Sequence, residues 1–557
     1  MKSSNKTLIG IAIGLLFCAP IFAQTYNEQI DITAPYQPSV NDANKLNIEP
    51  DKYSIKIEKT KPNYNYTFSR YSEFNNLPGG IALLQPVNYD FHPKKHILSA
   101  VFGFGSNVEP LIDIDINSTE NDKASGGFNI YHNSAWRQMN IFTNNPINNS
   151  FNITQIGGYG GININKQRLD AKLSYTRNGF YYYGTNHEST TLQVEDYSDS
   201  LQQTINIIDA SLSLFNAKHN TTNYKASVNY SFVQDINNFV ENIVDIPIHF
   251  NTTPEWIDND LIAINLNAAI NTSTYDDINM LVNLQPTYRF TAGSFDFTIG
   301  LNANFYNDNA NGKSTNKFAI SPKAEIKANI IKNILNIHIG VDGNVEQNTF
   351  KSLYMDNQYI ISPYIAHNNF SNVPDSNGYF SKRATNTKWD LYAGFDSKIS
   401  NYVNLSAQVE YKIIENAPIY KSLTTDVLTQ GLSAHPINMF TVKYADMTQL
   451  GIIGDLTIDT RNKFLFNIYG RFNINENTNV EKCEELYNMP NFNLHAEARY
   501  KATEKLIFGI KAYCIGSRKD FDTYDNTIET LKPFHDIDLS VNYLINDKVS
   551  IWGNINN

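Results

Sequence analysis

Long stretches of this chain alternate strictly between one apolar and one polar residue. In "YVNLSAQVEYK" (402–412), every second residue from Val403 to Tyr411 is apolar, and the residues between them are polar. Successive side chains of a β-strand point to opposite faces, so this period predicts strands with one apolar and one polar face. The same division recurs in "RLDAKLSYT" (168–176), "NYKASVNYSF" (223–232), "ILNIHIGVDGN" (334–344) and "DIDLSVNY" (536–543).

The length of these runs narrows the class of fold. They extend for about nine to twelve residues, roughly twice a globular strand, which is the length that a tilted strand needs to cross a bilayer. About twenty-one such segments lie between His96 and Asn556, joined by alternating short and long polar connections, as in membrane barrels. The pattern predicts an all-β fold, a large transmembrane antiparallel β-barrel of about 16–22 strands, over residues 96–557. A large soluble all-β protein is the alternative, but no repeat of blade length accompanies the strands.

The N-terminal residues predict export from the cytoplasm. Lys2 and Lys6 precede an apolar run, and Ala23 supplies the small residue of a cleavage site, so residues 1–23 are expected to be a signal peptide. A lipoprotein anchor at Cys18 is the alternative, although Phe17 stands where a small residue is required. Beyond residue 23 no apolar run has the roughly 18 residues of a membrane-spanning helix. Residues 24–95 show no sustained period and predict a short, irregular periplasmic or plug-like segment.

The composition agrees with a barrel. Aromatic residues make up 13% of a chain whose mean hydropathy is only −0.37, as expected where aromatic girdles surround a polar lumen. The net charge is −11, and the longest basic cluster is "HPKKH" (92–96), so no nucleic-acid partner is expected. The expected partners are outer-membrane lipid, the barrel insertion machinery, and a periplasmic protein that binds residues 24–95.

Three segments of the chain resemble parts of one known family. They are "APYQPSVNDANKLNIEP" (34–50), "YNYTF" (64–68) and "HILSAVFGFGSNVEPLIDIDIN" (96–117). In order, they are similar to the segment near the mature N-terminus, a short strand before the barrel, and the first barrel hairpin of the outer-membrane β-barrel proteins of Bacteroidota, which are often labelled TonB-dependent receptors. The resemblance implies a location in the Gram-negative outer membrane and a role in transport. The chain departs from the family in having no complete plug and no convincing energy-coupling box.

The chain offers few candidate site residues. "DIDINSTENDKA" (113–124) begins like a calcium loop, but Ser118 and Ala124 replace the required Gly and Glu, so lumen-facing acids of a strand are the better interpretation. Arg168 and Arg471 fall on polar strand faces, where they could tune selectivity or be neutralised by neighbouring acids. Cys483 and Cys514 are expected to be free thiols, with a disulfide as the alternative. The sequence therefore predicts no catalytic, cofactor or metal residues, no cofactor and no enzyme, and it identifies no substrate-binding residue.

Two functions fit these observations. The first is a solute channel or a transporter of the TonB-dependent receptor kind; the second is a non-transporting barrel that anchors or binds other envelope proteins. The final strand, "KVSIWGNIN" (548–556), gives an odd strand count and lacks a terminal aromatic residue. Single-chain bacterial barrels have even strand numbers, so a further closing strand is expected beyond it.

Overall fold

The computed structural model describes residues 97–556, apart from 107, 119–122, 137, 140–146, 183–201, 218–220, 255–259, 276–277, 311–312, 365, 367–382, 424–438, 461–462 and 523–526. All of the described residues belong to one compact unit, Leu77–Asn557. The signal peptide, the segment 24–95, the "HPKKH" cluster and the first two resembling segments lie outside the described residues.

The described part of the chain is almost entirely strand. Its strands are β1 (Leu98–Gly105), β2 (Glu109–Asn117), β3 (Ala124–Ala135), β4 (Gln138–Met139), β5 (Ile147–Asn148), β6 (Phe151–Ile164), β7 (Gln167–Tyr181), β8 (Gln202–Asn216), β9 (Thr222–Asp235), β10 (Val240–Thr252), β11 (Leu261–Ser273), β12 (Ile278–Ala292) and β13 (Phe295–Ala310). They continue with β14 (Lys313–Ile331), β15 (Leu335–Gln347), β16 (Ala384–Lys398), β17 (Val403–Ser422), β18 (Phe440–Asp459), β19 (Phe464–Asn477), β20 (Phe492–Lys501), β21 (Leu506–Ile515), β22 (Arg518–Asp522), β23 (Thr527–Leu531), β24 (Phe534–Leu544) and β25 (Ser550–Ile555). The helix α1 (Phe350–Asp356) lies in the connection between β15 and β16.

A single sheet of 21 strands contains every strand except two small hairpins, β4–β5 and β22–β23. Each strand pairs antiparallel with the next one along the chain, beginning with the hairpin β1–β2, in which Leu98 faces Ile116. The predicted barrel fold, its strand number and its first hairpin are therefore confirmed. Among the described residues, no helix has the length and apolar character needed to cross a membrane.

The two faces of the sheet differ as the alternation predicts. On the outer face apolar side chains stand opposite one another across strands, as Ile510 and Leu539 do, and both are more than 40% exposed. In water such a surface would be unfavourable, whereas in lipid it is the surface that holds a barrel in place. The inner face carries polar ladders instead: the Asn302 amide donates to Asp342 over 2.8 Å, and Lys323 pairs with the same carboxylate at 2.5 Å. The barrel thus has a lipid-facing band and a polar lumen.

The two ends of the sheet meet. A Cβ atom built on Gly103 of β1 would lie 2.8 Å from the indole ring of Trp552 in β25, so the last described strand stands against the first. β25 forms its ladder with β24, and the described residues contain no ladder between β25 and β1. The further closing strand stays a prediction.

The two described cysteines are free thiols, so the disulfide alternative is wrong. Cys483 is buried, whereas Cys514 stands directly across from His535 with its sulfur 2.9 Å from Nδ1. Cys514 shares a strand face with Ile510, which is exposed on the outer surface.

Candidate functional site

The connections between strands differ at the two ends of the barrel. At one end they are short, such as residues 165–166 and 293–294; at the other they include 182–201, 348–383 and 423–439. Outer-membrane barrels have short periplasmic turns and long extracellular loops. The end with long loops is therefore the extracellular mouth, and the candidate site lies there.

The connection after β15 folds back into the barrel. We call its residues 348–364 the crossbar. It begins with a capping box: the Thr349 hydroxyl accepts the Ser352 N–H at 2.9 Å, and the Ser352 hydroxyl accepts the Thr349 N–H at 2.9 Å. This reciprocal pair satisfies two amide groups that a helix start leaves unpaired, and α1 begins directly after it.

A carboxylate on a distant strand holds the start of α1. Glu241 of β10 is fully buried, and its two oxygens accept the N–H groups of Phe350 and Lys351, each at 3.0 Å. Its Oε1 also accepts the Asn271 amide at 2.7 Å. Negative charge at a helix N-terminus is favourable because the free N–H groups and the helix dipole point toward it. Docking of the crossbar thus adds two N–H donors to a buried carboxylate that the Asn271 amide also stabilises.

Two further side chains of the crossbar fasten it to the same wall. The Lys351 ammonium donates to the Asp209 carboxylate of β8 and, over 2.9 Å, to the Ser231 hydroxyl of β9. Ser362 donates to Asp235 at the end of β9. Three acidic side chains on three successive strands therefore bind one short segment, which fixes its height in the lumen.

Apolar packing covers these polar contacts. Phe350, Leu353, Tyr354, Ile360 and Ile361 of the crossbar are each at most 4% exposed. Because Asp209 faces the lumen, alternation places two other β8 side chains, at 205 and 207, on the same face. The wall residues of this cluster are Phe180, Tyr182, Ile205, Ile207, Val233 and Phe239.

Aromatic contacts and backbone hydrogen bonds complete the docking. Phe350 meets Phe239 edge to face, with ring centroids 5.1 Å apart, and the Tyr182 hydroxyl donates to the Ile360 carbonyl over 2.8 Å. Burial raises the pKa of Tyr182 above its usual value, so this hydroxyl stays a donor. Burial likewise raises the pKa of Tyr275, whose ring stacks on Phe239, to about 12.

The other side of the crossbar contacts the hairpin β17–β18. The Ile361 N–H donates to the Phe440 carbonyl over 2.8 Å, and the Phe440 N–H donates to the Tyr359 carbonyl over 3.0 Å. Tyr420 donates to the Leu353 carbonyl over 3.3 Å. The apolar residues that this hairpin and its ends contribute to the same cluster are Leu423, Met439, Val442 and Tyr444.

The crossbar therefore bridges the mouth. Counted along the ladder pairings of the 21-strand sheet, β8 is sixth and β18 is sixteenth, so nine strands lie between them, close to half of the circumference. A continuous apolar cluster with polar anchors extends from one sector to the other. Water and solute are excluded from the space that this cluster fills, and passage there requires the crossbar to move.

A second loop, the described residues 478–491, packs on the opposite face of the β17–β18 hairpin. Its buried residues Cys483, Leu486 and Tyr487 contact Ile419 and Met447. The hydrogen bond from Lys421 lowers the pKa of Glu484, which also accepts the Tyr487 hydroxyl over 2.8 Å. Burial raises the pKa of the Cys483 thiol, which keeps it protonated and unreactive.

The polar candidates from the sequence lie on the strands as expected. Arg168 pairs with Asp170 at 2.7 Å and donates to Ser125 over 2.6 Å. Arg471 pairs with Glu410, which is 2% exposed. Both arginines are therefore neutralised members of the wall. Asp113 and Asp115 lie on β2, where they alternate with the exposed Ile116, as the strand interpretation expects; residues 119–122 of the calcium-like segment lie outside the described residues.

The sequence reasoning missed the crossbar. Two weak signals mark it. One is the capping pair Thr349 and Ser352 outside any long helical period. The other is "INII" (205–208), where apolar residues occupy both strand faces, which indicates that the lumen face is covered as well.

Comparison with models of known protein families finds no match, and no curated protein matches by sequence. Solved structures do match. The FrpB iron transporter from Neisseria meningitidis (F3-3 variant) superposes with a TM-score of 0.60 at 11% identity, over 82% of this chain and 75% of that one. The ferric-catecholate import receptor Fiu from K12 E. coli has a TM-score of 0.56 at 11% identity, over 83% of this chain and 78% of that one.

The siderophore receptor PiuA from Acinetobacter baumannii gives a TM-score of 0.57 at 9% identity, over 82% of this chain and 76% of that one. At such identities the likeness is one of fold. The assignment to Bacteroidota stays an expectation. The chain has the fold of Gram-negative outer-membrane β-barrels of the TonB-dependent receptor kind.

Proposed function

We propose that this protein imports a polar solute through its lumen and that the crossbar is the gate of the extracellular mouth. The single observation that carries the proposal is the bridge itself: a segment anchored on both sides of a polar lumen, on strands that have nine others between them. The structural neighbours are described as an iron transporter, an import receptor and a siderophore receptor, which supports transport as the class of function.

The anchors suit a gate better than a permanent seal. Glu241, Asp209 and Asp235 are all carboxylates on the stationary wall, and their partners are amide, ammonium and hydroxyl groups on the moving segment. A competing ligand with donor groups could replace these partners one at a time. Residues 24–95 are proposed to be the periplasmic or plug-like part of the same transporter, with an inner-membrane energy coupler as the partner they would bind.

A reversible lock tests the gate. The Ser362 hydroxyl contacts the Asp235 carboxylate, so Asp235→Cys together with Ser362→Cys places two thiols where the crossbar meets the wall. The purified full chain is inserted into a planar bilayer and its current is recorded under reducing and then oxidising conditions. We expect step-like currents when the pair is reduced and their loss when it is oxidised, with recovery on reduction.

The single variant Ser362→Cys is the control for oxidation of the native Cys483 and Cys514. If the currents of the double variant are the same under reducing and oxidising conditions, solute does not pass the crossbar. A barrel that stays silent in both states would overturn transport and leave the second function, an anchor that binds envelope proteins.

A further inference from the structure

Below the crossbar the lumen face of β7–β10 encloses a cavity of about 290 Å³. It is lined mainly by hydroxyl, amide and cationic side chains. The strand register places this cavity directly under the gate. Asp209 and Ser231, which bind Lys351, form one cross-strand pair, and the pair Ser211 and Asn229 lies two positions closer to the periplasm and lines the cavity.

Two lysines in this cavity have no partner in the part of the chain that the structure describes. Lys172 of β7 and Lys225 of β9 are both exposed to the lumen, and no ion pair or hydrogen bond reaches either one. Two other lumen lysines are neutralised: Lys323 pairs with Asp342, and Lys412 pairs with Asp390 at 3.4 Å. Lys172 and Lys225 differ from these two in having no carboxylate partner among the described residues.

The acids near these lysines are already engaged. Asp170 pairs with Arg168 at 2.7 Å, Asp209 binds Lys351, and Asp245 accepts an amide of β9 over 3.2 Å. Asp170 and Asp209 are thus each neutralised by a cation other than Lys172 or Lys225. Asp245 is the one negative charge among these three acids that is left to offset the two lysines. The net charge of the cavity wall is positive.

Neutral donors stand between the lysines. The hydroxyls of Ser213 and Ser227 bond to each other over 2.8 Å, and Ser211 donates to Asn229 over 2.7 Å. His249, which faces Lys225 across β9 and β10, adds an imidazole that accepts or donates at the periplasmic end. Hydroxyls can turn toward a passing oxyanion, so the wall offers successive donors at several heights.

We propose that this wall, the anion track, binds solutes that carry phosphate or carboxylate groups, with Lys172 and Lys225 as the selecting charges. The inference rests on the proposed transport function and names its substrate class. Rings and rows of Lys or Arg are the usual source of anion preference in pores, because a fixed positive charge at each position stabilises an anion that has lost part of its hydration shell. The anion track begins beneath the gate, so a solute that passes the crossbar meets it next.

The test uses the full chain carrying Glu241→Gln, which removes a gate anchor, in a planar bilayer with a salt gradient. The double change Lys172→Gln with Lys225→Gln is compared with Lys505→Gln, which removes the same kind of charge from an exposed turn. We expect the double change to lower the chloride-to-potassium permeability ratio by about three- to tenfold, since each lysine charge acts over a few ångströms. Block of the current by inorganic phosphate is expected to disappear with it, while Lys505→Gln changes neither quantity.

The two hypotheses fail in different ways. Channels that conduct but keep their ion preference and phosphate block in the double variant would overturn the anion track and leave the gate intact. Silence of every variant, including the parent, would overturn transport itself. Phosphate block that persists in the double variant while its ion preference changes would place the phosphate site elsewhere and overturn the anion track.

Discussion

The substitution Glu241→Gln probes the gate at its most deeply buried anchor. Glutamine keeps the size of the side chain and one carbonyl oxygen, so the bonds from Phe350 and Asn271 can persist. The second oxygen, which accepts the Lys351 N–H at 3.0 Å, becomes an NH₂ group that faces another donor. The negative charge at the start of α1 is lost as well.

The magnitude follows from these two losses. A hydrogen bond to a charged group contributes about 1.5–3 kcal/mol, and the charge at a helix N-terminus adds roughly 0.3–1 kcal/mol. Burying a neutral amide costs less than burying a carboxylate, which offsets part of the loss. We expect docking of the crossbar to weaken by about 2 kcal/mol, which raises the undocked fraction roughly 30-fold, since 1.4 kcal/mol is a factor of ten.

The assay counts opening events of single channels under a constant voltage. Glu346→Gln is the matched control, because Glu346 lies on β15 close to the crossbar but is exposed and holds no part of it. A rise in open probability for Glu241→Gln alone is the expected result. If both variants open as rarely as the parent while the barrel inserts normally, the carboxylate does not hold the crossbar and the reasoning is refuted.

Three further outcomes are expected. Phe350→Ala should weaken docking by about 3–5 kcal/mol, since the ring is 1% exposed, and single-channel recording should show a larger rise in opening than any anchor variant; equal opening would argue against apolar sealing. Because Lys421 lowers the pKa of Glu484, their bond should stabilise the 478–491 loop above the usual carboxyl pKa and be lost as the pH falls through the lowered value. Hydrogen exchange of that loop should then rise in acid, and Lys421→Met should remove the dependence. Gly103→Val should displace Trp552, seen as a red-shifted indole emission and unfolding at a lower temperature in detergent.

The strands could be predicted because each carries its own signal. β7 alternates over residues 168–176 and β24 over residues 536–543, and a bilayer imposes that alternation on every strand independently. The inward direction of Arg168 and Arg471 followed from the same period. Their partners did not follow from the period. Arg168 pairs with Asp170, two positions along the same strand, whereas Arg471 pairs with Glu410, 61 positions away in the sequence.

The crossbar is different because its stability comes from contacts distant in sequence. α1 has only seven residues and could not form alone. Phe350 meets Glu241 across 109 positions, and Tyr354 meets Asn178 across 176. Local sequence patterns contain no information about such distant pairings. A single sequence therefore predicts the barrel wall but not the segment that crosses the lumen.

The bridge between β8 and β18 also has a mechanical consequence. A wide barrel is a thin tube whose cross-section can flatten toward an ellipse, and a strut fixed at two nearly opposite points resists that deformation. Release of the crossbar would therefore soften the tube as well as open its mouth. Pulsed electron-electron resonance between spin labels on the β8 and β18 rims should report a broader distance distribution in Glu241→Gln than in the parent. Membrane tension, which changes the cross-section of the barrel, would then change how often the gate opens.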